Sequence, residues 1–362
     1  MPSSTSNFDF QRPIPDQPWH GLLLVTLLLT AVGTVAWEMR ARAWGYGPTL
    51  NDTPDLWADR REAVQPDSLV IIGDSRALFD TDLDVLEQGL GRRPVQLALV
   101  GSCAYPVLEN LANDETFHGT VIASLIPGMW MAPPPAPPYK NSLRALKRYH
   151  DRTLAQRAGH HLGMFLEERI AFLKQDDLTL EQFLKDVPVP NRAVYHSPPR
   201  LPPYFSTMNR ERHTKMTAAA ARPGPLQDRI KHGWIALFSP PPMPAHTPPA
   251  VYEAIGRAVE ARFGQTALAV RKIRARGGQV VFVRYPHSGE LKQLEDVGTP
   301  RTAAWTRLIQ ETGAPSIYYS DHPELIFDCP EWSHLSGPDS VEFTKRLVPH
   351  LQRALAGKPP GT

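Results

Sequence analysis

Two side chains in this sequence, far apart along the chain, could together carry out acyl transfer. Ser75 stands in the stretch Ser68 to Ala77, which reads SLVIIGDSRA. Four apolar, mostly β-branched residues make a buried strand, and Gly73, Asp74 and Ser75 end it with a turn or a helix cap. A serine at the carboxyl end of a parallel strand sits where α/β sheets place their ligands. Its hydroxyl is a weak nucleophile and needs an adjacent base. His334, in the stretch EWSHLSGPD over residues 331–339, is the candidate base, and the carboxylates of Asp328 and Glu331 stand close to it. The plainer alternatives are an ordinary turn at Gly73-Asp74-Ser75 and a histidine that caps a helix or fills a core.

The two stretches together resemble the first and last sequence blocks of the SGNH (GDSL-type) hydrolases. In that family a Gly-Asp-Ser near the N-terminus supplies the nucleophile, and an Asp-x-x-His near the C-terminus supplies the orienting acid and the base. The likeness covers roughly residues 66–130 and 265–355 as a match of fold. Carried over residue by residue, it makes Ser75 the nucleophile, His334 the base and Glu331 the acid, with glutamate in place of aspartate. Asp328 is the second candidate acid. The developing oxyanion would be met by the backbone N–H of Ser75 and by Gly101, which matches the family's second block. In the third block Gly128 matches, but Trp130 stands where the family has asparagine. An indole N–H is the donor expected there. Arg76, Arg284 and Ser288 are candidates for substrate contact, and for Arg76 the alternative is an ion pair with a carboxylate such as Asp80. Trp57, Trp130 and Trp332 could stack on sugar rings or pack in the core. His160, His161 and His287 lack the company of a metal site, so neither metal nor cofactor is expected.

Strands alternate with helices around these residues, which predicts an α/β fold with a parallel sheet. The strands are expected over 69–72, 94–100, 120–126, 278–284 and 316–319. Helices are expected over 82–90, around Val107 to Leu111, over 249–276 and 303–312, and after Ser336, with Ser336 as N-cap and Pro338 and Asp339 in the first turn. The resemblance implies a flavodoxin-like three-layer sandwich around five strands.

The chain has 362 residues and a formal net charge of +2, with both signs spread along it, and nothing in it suggests a nucleic-acid partner. Residues 1–18 are polar and proline-bearing and are expected to be disordered. Gly21 to Trp37 carries no charge and is flanked by Trp19, which reads as a transmembrane anchor over 19–38. A cleaved signal peptide ending near Ala41-Arg42-Ala43 is the alternative. A stalk over 39–66 would lead to the α/β body, formed by 67–131 and 251–356. Proline, at 38 residues, is about twice as frequent as usual. Its tracts at 133–138, 198–203 and 240–249 bound an insertion over 132–250 that reads as largely helical and is expected to cover or border Ser75.

The family resemblance also bears on the two cysteines. If the strands take the flavodoxin-like order, the loops carrying Cys103 and Cys329 border one site, and a disulfide between them would span its rim. The alternative is two buried free thiols. A bridge, like the resemblance, would put the body in an extracytoplasmic, periplasmic compartment. The function implied is a membrane-anchored serine esterase or O-acyltransferase acting on an acyl ester of an envelope or extracellular carbohydrate. The second reading is a non-catalytic partner of a membrane acyltransferase that binds polysaccharide.

Overall fold

The computed structural model describes residues 17–134, 136–174, 204–239 and 246–357. Helix α1 (Trp19–Ala43) contains the uncharged run, buries none of its most apolar window, and is long and apolar enough to cross a membrane. The expected disordered tail lies almost wholly outside the described residues. Residues 39–66 do not form a free stalk. Helix α2 (Pro54–Glu62), capped by Thr53, buries Leu56, Trp57 and Ala58 against the body, and the Trp57 indole donates to Leu97 O at 2.8 Å. Trp57 is therefore core rather than a sugar platform.

The first half of the sheet follows. Strand β1 (Leu69–Ile72) runs into helix α3 (Ser75–Phe79). Helix α4 (Leu83–Leu90) is capped by Asp82 and ends at Gly91. Strand β2 (Val95–Gln96) is shorter than expected, because only Val95 and Gln96 form ladder pairs; Leu97 and Leu99 still donate backbone bonds to Ile71 and Gly73. Helix α5 (Tyr105–Asn113), strand β3 (Thr120–Ser124) and the single-turn helix α6 (Pro127–Trp130) complete this half.

The insertion contributes helices α7 (Pro137–Asp151) and α8 (Leu154–Glu167) and a 3-10 turn over Ala171–Leu173. A hairpin of β4 (Ser206–Met208) and β5 (Thr214–Met216) follows, which sequence periodicity does not signal. Helices α9 (Ala218–Ala221) and α10 (Pro225–Phe238) end the insertion's described part. The proline tract at 198–203 lies outside the described residues.

The second half comprises α11 (Pro249–Ala275), β6 (Gln279–Arg284), α12 (Gly289–Gly298), a π-helical turn leading into α13 (Arg307–Thr312), β7 (Ser316–Tyr318) and α14 (Gly337–Leu355). Ser336 caps α14 by accepting from Asp339 N at 3.2 Å, as its sequence predicts.

The five strands form one all-parallel sheet in the order β2-β1-β3-β6-β7. Its side chains alternate between two apolar clusters. Val70, Ile72, Val121 and Phe282 face α5 and α11, whereas Leu69, Ile71, Ile122 and Val281 face α4 and α14. Both faces of the central strands are therefore buried, which explains their unbroken Val/Ile runs.

Candidate active site

Ser75 is placed by the turn that ends β1. Gly73 has φ +156°, and a Cβ there would lie 2.5 Å from the Ser124 Cβ, so only glycine fits between the two strands. Asp74 then caps α3, accepting from Arg76 N at 2.9 Å through one oxygen and from Ser124 Oγ at 3.0 Å through the other. Ser75 is the first residue of α3 and is 7% exposed.

Glu331 and His334 form a buried dyad on the loop after β7, both fully shielded from solvent. His334 Nδ1 lies 2.9 Å from Glu331 Oε1, and the same oxygen accepts from His334 N. A carboxylate only accepts, so the proton belongs on Nδ1 and Nε2 presents a lone pair. Nε2 has no hydrogen-bond partner. The loop turns through Trp332 at φ +79°, an unfavourable backbone for a tryptophan. Gly289 accommodates it: a Cβ there would lie 2.3 Å from the Trp332 ring.

Helix α3 is tied to this loop at both ends. Arg76 Nε approaches Ser333 Oγ at 3.4 Å, and Asp80 Oδ1 accepts from Leu335 N at 2.8 Å. Phe79, one turn after Ser75 on the same helix, packs against the His334 ring in a tilted arrangement, 4.8 Å between centroids. Candidate nucleophile and base thus share one interface, although no hydrogen bond joins them. Asp328 is exposed, and the carboxylate hydrogen-bonded to His334 is that of Glu331.

The insertion closes over His334. Phe205 and Trp234 each lie 5.6 Å from the His334 ring, and the Trp234 indole donates to Glu331 Oε2. The insertion is expected at Ser75; the contacts of Phe205 and Trp234 are with His334 and Glu331, and neither residue carries a sequence signal that marks it.

The residues expected to touch substrate are engaged internally. Arg76 is fully buried and pairs with Glu295 through both terminal nitrogens, not with Asp80. Arg284 also pairs with Glu295, and its Nη2 lies 3.1 Å from His287 Nε2. Burial alone would raise the Glu295 carboxyl, but the two guanidinium groups outweigh it and hold Glu295 well below the usual carboxylate range. Burial, reinforced by Arg284 and Arg76, pushes His287 down and keeps it neutral. Ser288 is occupied by the Cys329 backbone, donating to its carbonyl at 3.2 Å and accepting from its N–H at 3.1 Å.

Trp130 does not stand at the site either. Its side chain lies in the core with its indole N–H donated to Thr266 Oγ1 at 3.1 Å, so it is not an oxyanion donor. Gly101 does sit at the carboxyl edge of the sheet after β2, and the insertion steadies it. Asn141 Nδ2 on α7 donates to Gly101 O at 3.1 Å, and the neighbouring Ser142 hydroxyl donates to Cys103 O.

The cysteines are free, not bridged. They occupy different apolar clusters, one on each face of the sheet. Cys103 Sγ lies 3.2 Å from Trp130 O, and burial pushes its thiol up to about 11. Burial raises Cys329 as well.

Among the described residues, two groups of side chains outside this site have donor atoms within 4.8 Å of one another: His322, Glu324 and His350, and Asp82, Asp84 and His213. In the first, His350 already bonds Glu324 and Arg353. In the second, Lys215 supplies the cation, 2.9 Å from Asp82. Comparison with family models, curated proteins and solved structures found no match to this chain.

Proposed function

We propose that this chain is a membrane-anchored, SGNH-like serine esterase or O-acyltransferase. The observation that carries the reading is the buried Glu331–His334 pair, with an unpartnered Nε2 beside the helix that Ser75 opens. The strand order β2-β1-β3-β6-β7 supports it, since it corresponds to the flavodoxin-like order 2-1-3-4-5, and we read the body as a three-layer sandwich of that kind. Ser75 then follows β1, one of the two strands that flank that topology's ligand crevice, and Gly101 follows the neighbouring strand β2, both outside the carboxyl ends.

In this reading His334 Nε2 takes the Ser75 hydroxyl proton as Oγ attacks an ester carbonyl. The N–H groups of Ser75 and Gly101 meet the oxyanion. His334 returns the proton to the leaving alcohol, and an acyl-serine remains. Water or a sugar hydroxyl then takes up the acyl group by the same steps in reverse. Glu331 keeps the imidazole in the productive tautomer. The substrate class, an O-acyl group on an envelope or extracellular carbohydrate, and the extracytoplasmic placement of the body rest on the family resemblance.

A second reading is a non-catalytic partner of a membrane acyltransferase that binds polysaccharide on the same scaffold. It is favoured by Trp130, which occupies the place of the family's asparagine yet donates into the core. Labelling of the folded protein with a fluorophosphonate decides between them. Labelling that disappears in Ser75→Ala supports the enzyme, and no labelling supports the partner.

A further inference from the structure

We infer that the exposed apolar stripe of α8 rests on the surface of the bilayer that α1 enters, so that the body lies against the membrane in a fixed pose. The inference rests on the reading of α1 as a membrane anchor.

Helix α1 is clamped to the body where its uncharged run ends. Glu38, the first charged residue after Trp37, accepts from Ala171 N at 3.0 Å and from Phe172 N at 3.2 Å. Arg42 donates to Glu38 and to Arg169 O. Ala41 and Ala171 exclude solvent between them, at 0% and 1% exposure. A carboxylate that caps a 3-10 turn, together with a closed alanine contact, fixes the direction in which the anchor leaves the body. It also fixes the depth of residues 169–172, which sit beside the first polar turn after the apolar span.

Those residues are the direct continuation of α8. Its inner side is held by Met164 in the core, by His160 against Asp59 and by Arg157 against Glu62. Its outer side carries Leu154, Ala158, Leu162, Phe165 and Leu166 at helical spacing, a stripe about 120° wide. Leu154 is 84% exposed, Leu162 62% and Phe165 48%. Arg169 lies over the Phe165 ring at 3.7 Å, the posture of a cation at the head-group level above an apolar body. An amphipathic helix whose end is joined to a clamped anchor meets the interface without a separate search, and its stripe suits the shallow seat of such helices, about 5–10 Å into the head-group boundary.

The test uses the full chain at one copy per nanodisc, with an environment-sensitive fluorophore on Leu28→Cys, Leu162→Cys, Phe165→Cys or Val297→Cys. Cys103 and Cys329 are buried and give little background. Lipid nitroxides placed high on the acyl chain should remove about half or more of the emission at Leu162 and Phe165 and leave Val297 unchanged. Quenching at Leu28 by deeper nitroxides with none at Leu162 and Phe165 would overturn the docking while leaving the anchor intact. No lipid quenching at any of the four would remove the anchor and the docking together. Burial of the Leu162 probe without lipid quenching would assign the stripe to protein, from this chain or a second copy, and would likewise overturn the inference.

Discussion

The indole N–H of Trp234 donates to Oε2 of Glu331, across 97 residues of sequence. It completes a ring of three donors around one carboxylate, the others being His334 Nδ1 and His334 N. A group that accepts three N–H bonds in a dry site can only be an acceptor, and that requirement holds the imidazole in one tautomer. The donor comes from the insertion, so the orientation of the His334 imidazole depends on a segment outside the sheet.

Trp234→Phe should therefore lower turnover roughly 10–100-fold, the range for losing one hydrogen bond to a charged group. The ring would still pack on His334, so KM should change little, while Tm should fall modestly for the lost bond. Steady-state kinetics on an acyl-sugar substrate, or fluorophosphonate labelling rates, would measure the loss. In a His334→Ala background the same substitution should have no further effect, since it acts through the imidazole. A loss as large in that background would make Trp234 a general stabiliser instead.

Ser75→Ala and His334→Ala should each cut turnover by about 10³-fold or more, with the double variant no worse than either single. Glu331→Gln should cost about 10²–10⁴. Its single acceptor oxygen cannot serve donors on both sides, and one N–H would face the new amide. Asp328→Asn should be near neutral because Asp328 is exposed. Full turnover in Ser75→Ala, or a larger loss in Asp328→Asn than in Glu331→Gln, would refute these roles.

Asp80 makes an opposite prediction for stability. Burial raises its carboxyl well above the ordinary 3.8, and Oδ2 has no partner although Oδ1 accepts from Leu335 N. The folded state therefore holds a proton that the unfolded chain releases. Stability from this group is full below pH 3.8 and falls as pH rises toward the folded value. Asp80→Asn keeps the acceptor and removes that loss. Its Tm should exceed the wild-type value at neutral pH by roughly 2–4 °C per kcal/mol regained, with the gap closing in acid. Thermal scans across pH would show the trend, and a gap constant with pH would contradict it.

What could be read from the chain was local. The Val/Ile runs mark the central strands because both faces are buried, and Ser336 with Pro338 and Asp339 marks the start of α14. Glu331 and His334 are three residues apart, so their pairing lies within reach of one turn. The failures were contacts made at a distance. Arg76 pairs with Glu295, 219 residues away, and nothing near either residue signals it. Trp130 follows a strand end in sequence but packs inward against Phe282 and Thr266, which only the sheet order brings beside it. Asn141 and Trp234 belong to a segment with no periodicity that points to a site. The cysteine loops do follow the expected strands, but Cys103 packs into the apolar cluster on one face of the sheet and Cys329 into the cluster on the other.

The Arg76–Glu295–Arg284 cluster with His287 predicts acid lability. Two guanidinium groups hold Glu295 below its ordinary 4.5, so its contribution is present above that pH and is lost as pH falls. His287 is kept neutral by burial and by the same arginines, below its ordinary 6.5. The unfolded chain binds a proton there that the folded state refuses, so stability drops as pH falls through 6.5. Both slopes have the same sign and add. Denaturant midpoints should therefore decline from pH 7 downward, and His287→Gln should flatten the part nearest pH 6.5. Glu295→Gln should be worse than either slope at every pH. It leaves Arg76 and Arg284 buried without their counter-charge, at a cost of about 3–5 kcal/mol. Because Arg76 follows Ser75 in α3 and reaches Ser333 beside His334, that variant should also lose turnover at temperatures where it remains folded. A Glu295→Gln protein with wild-type midpoint and turnover would show that the cluster holds neither the fold nor the site.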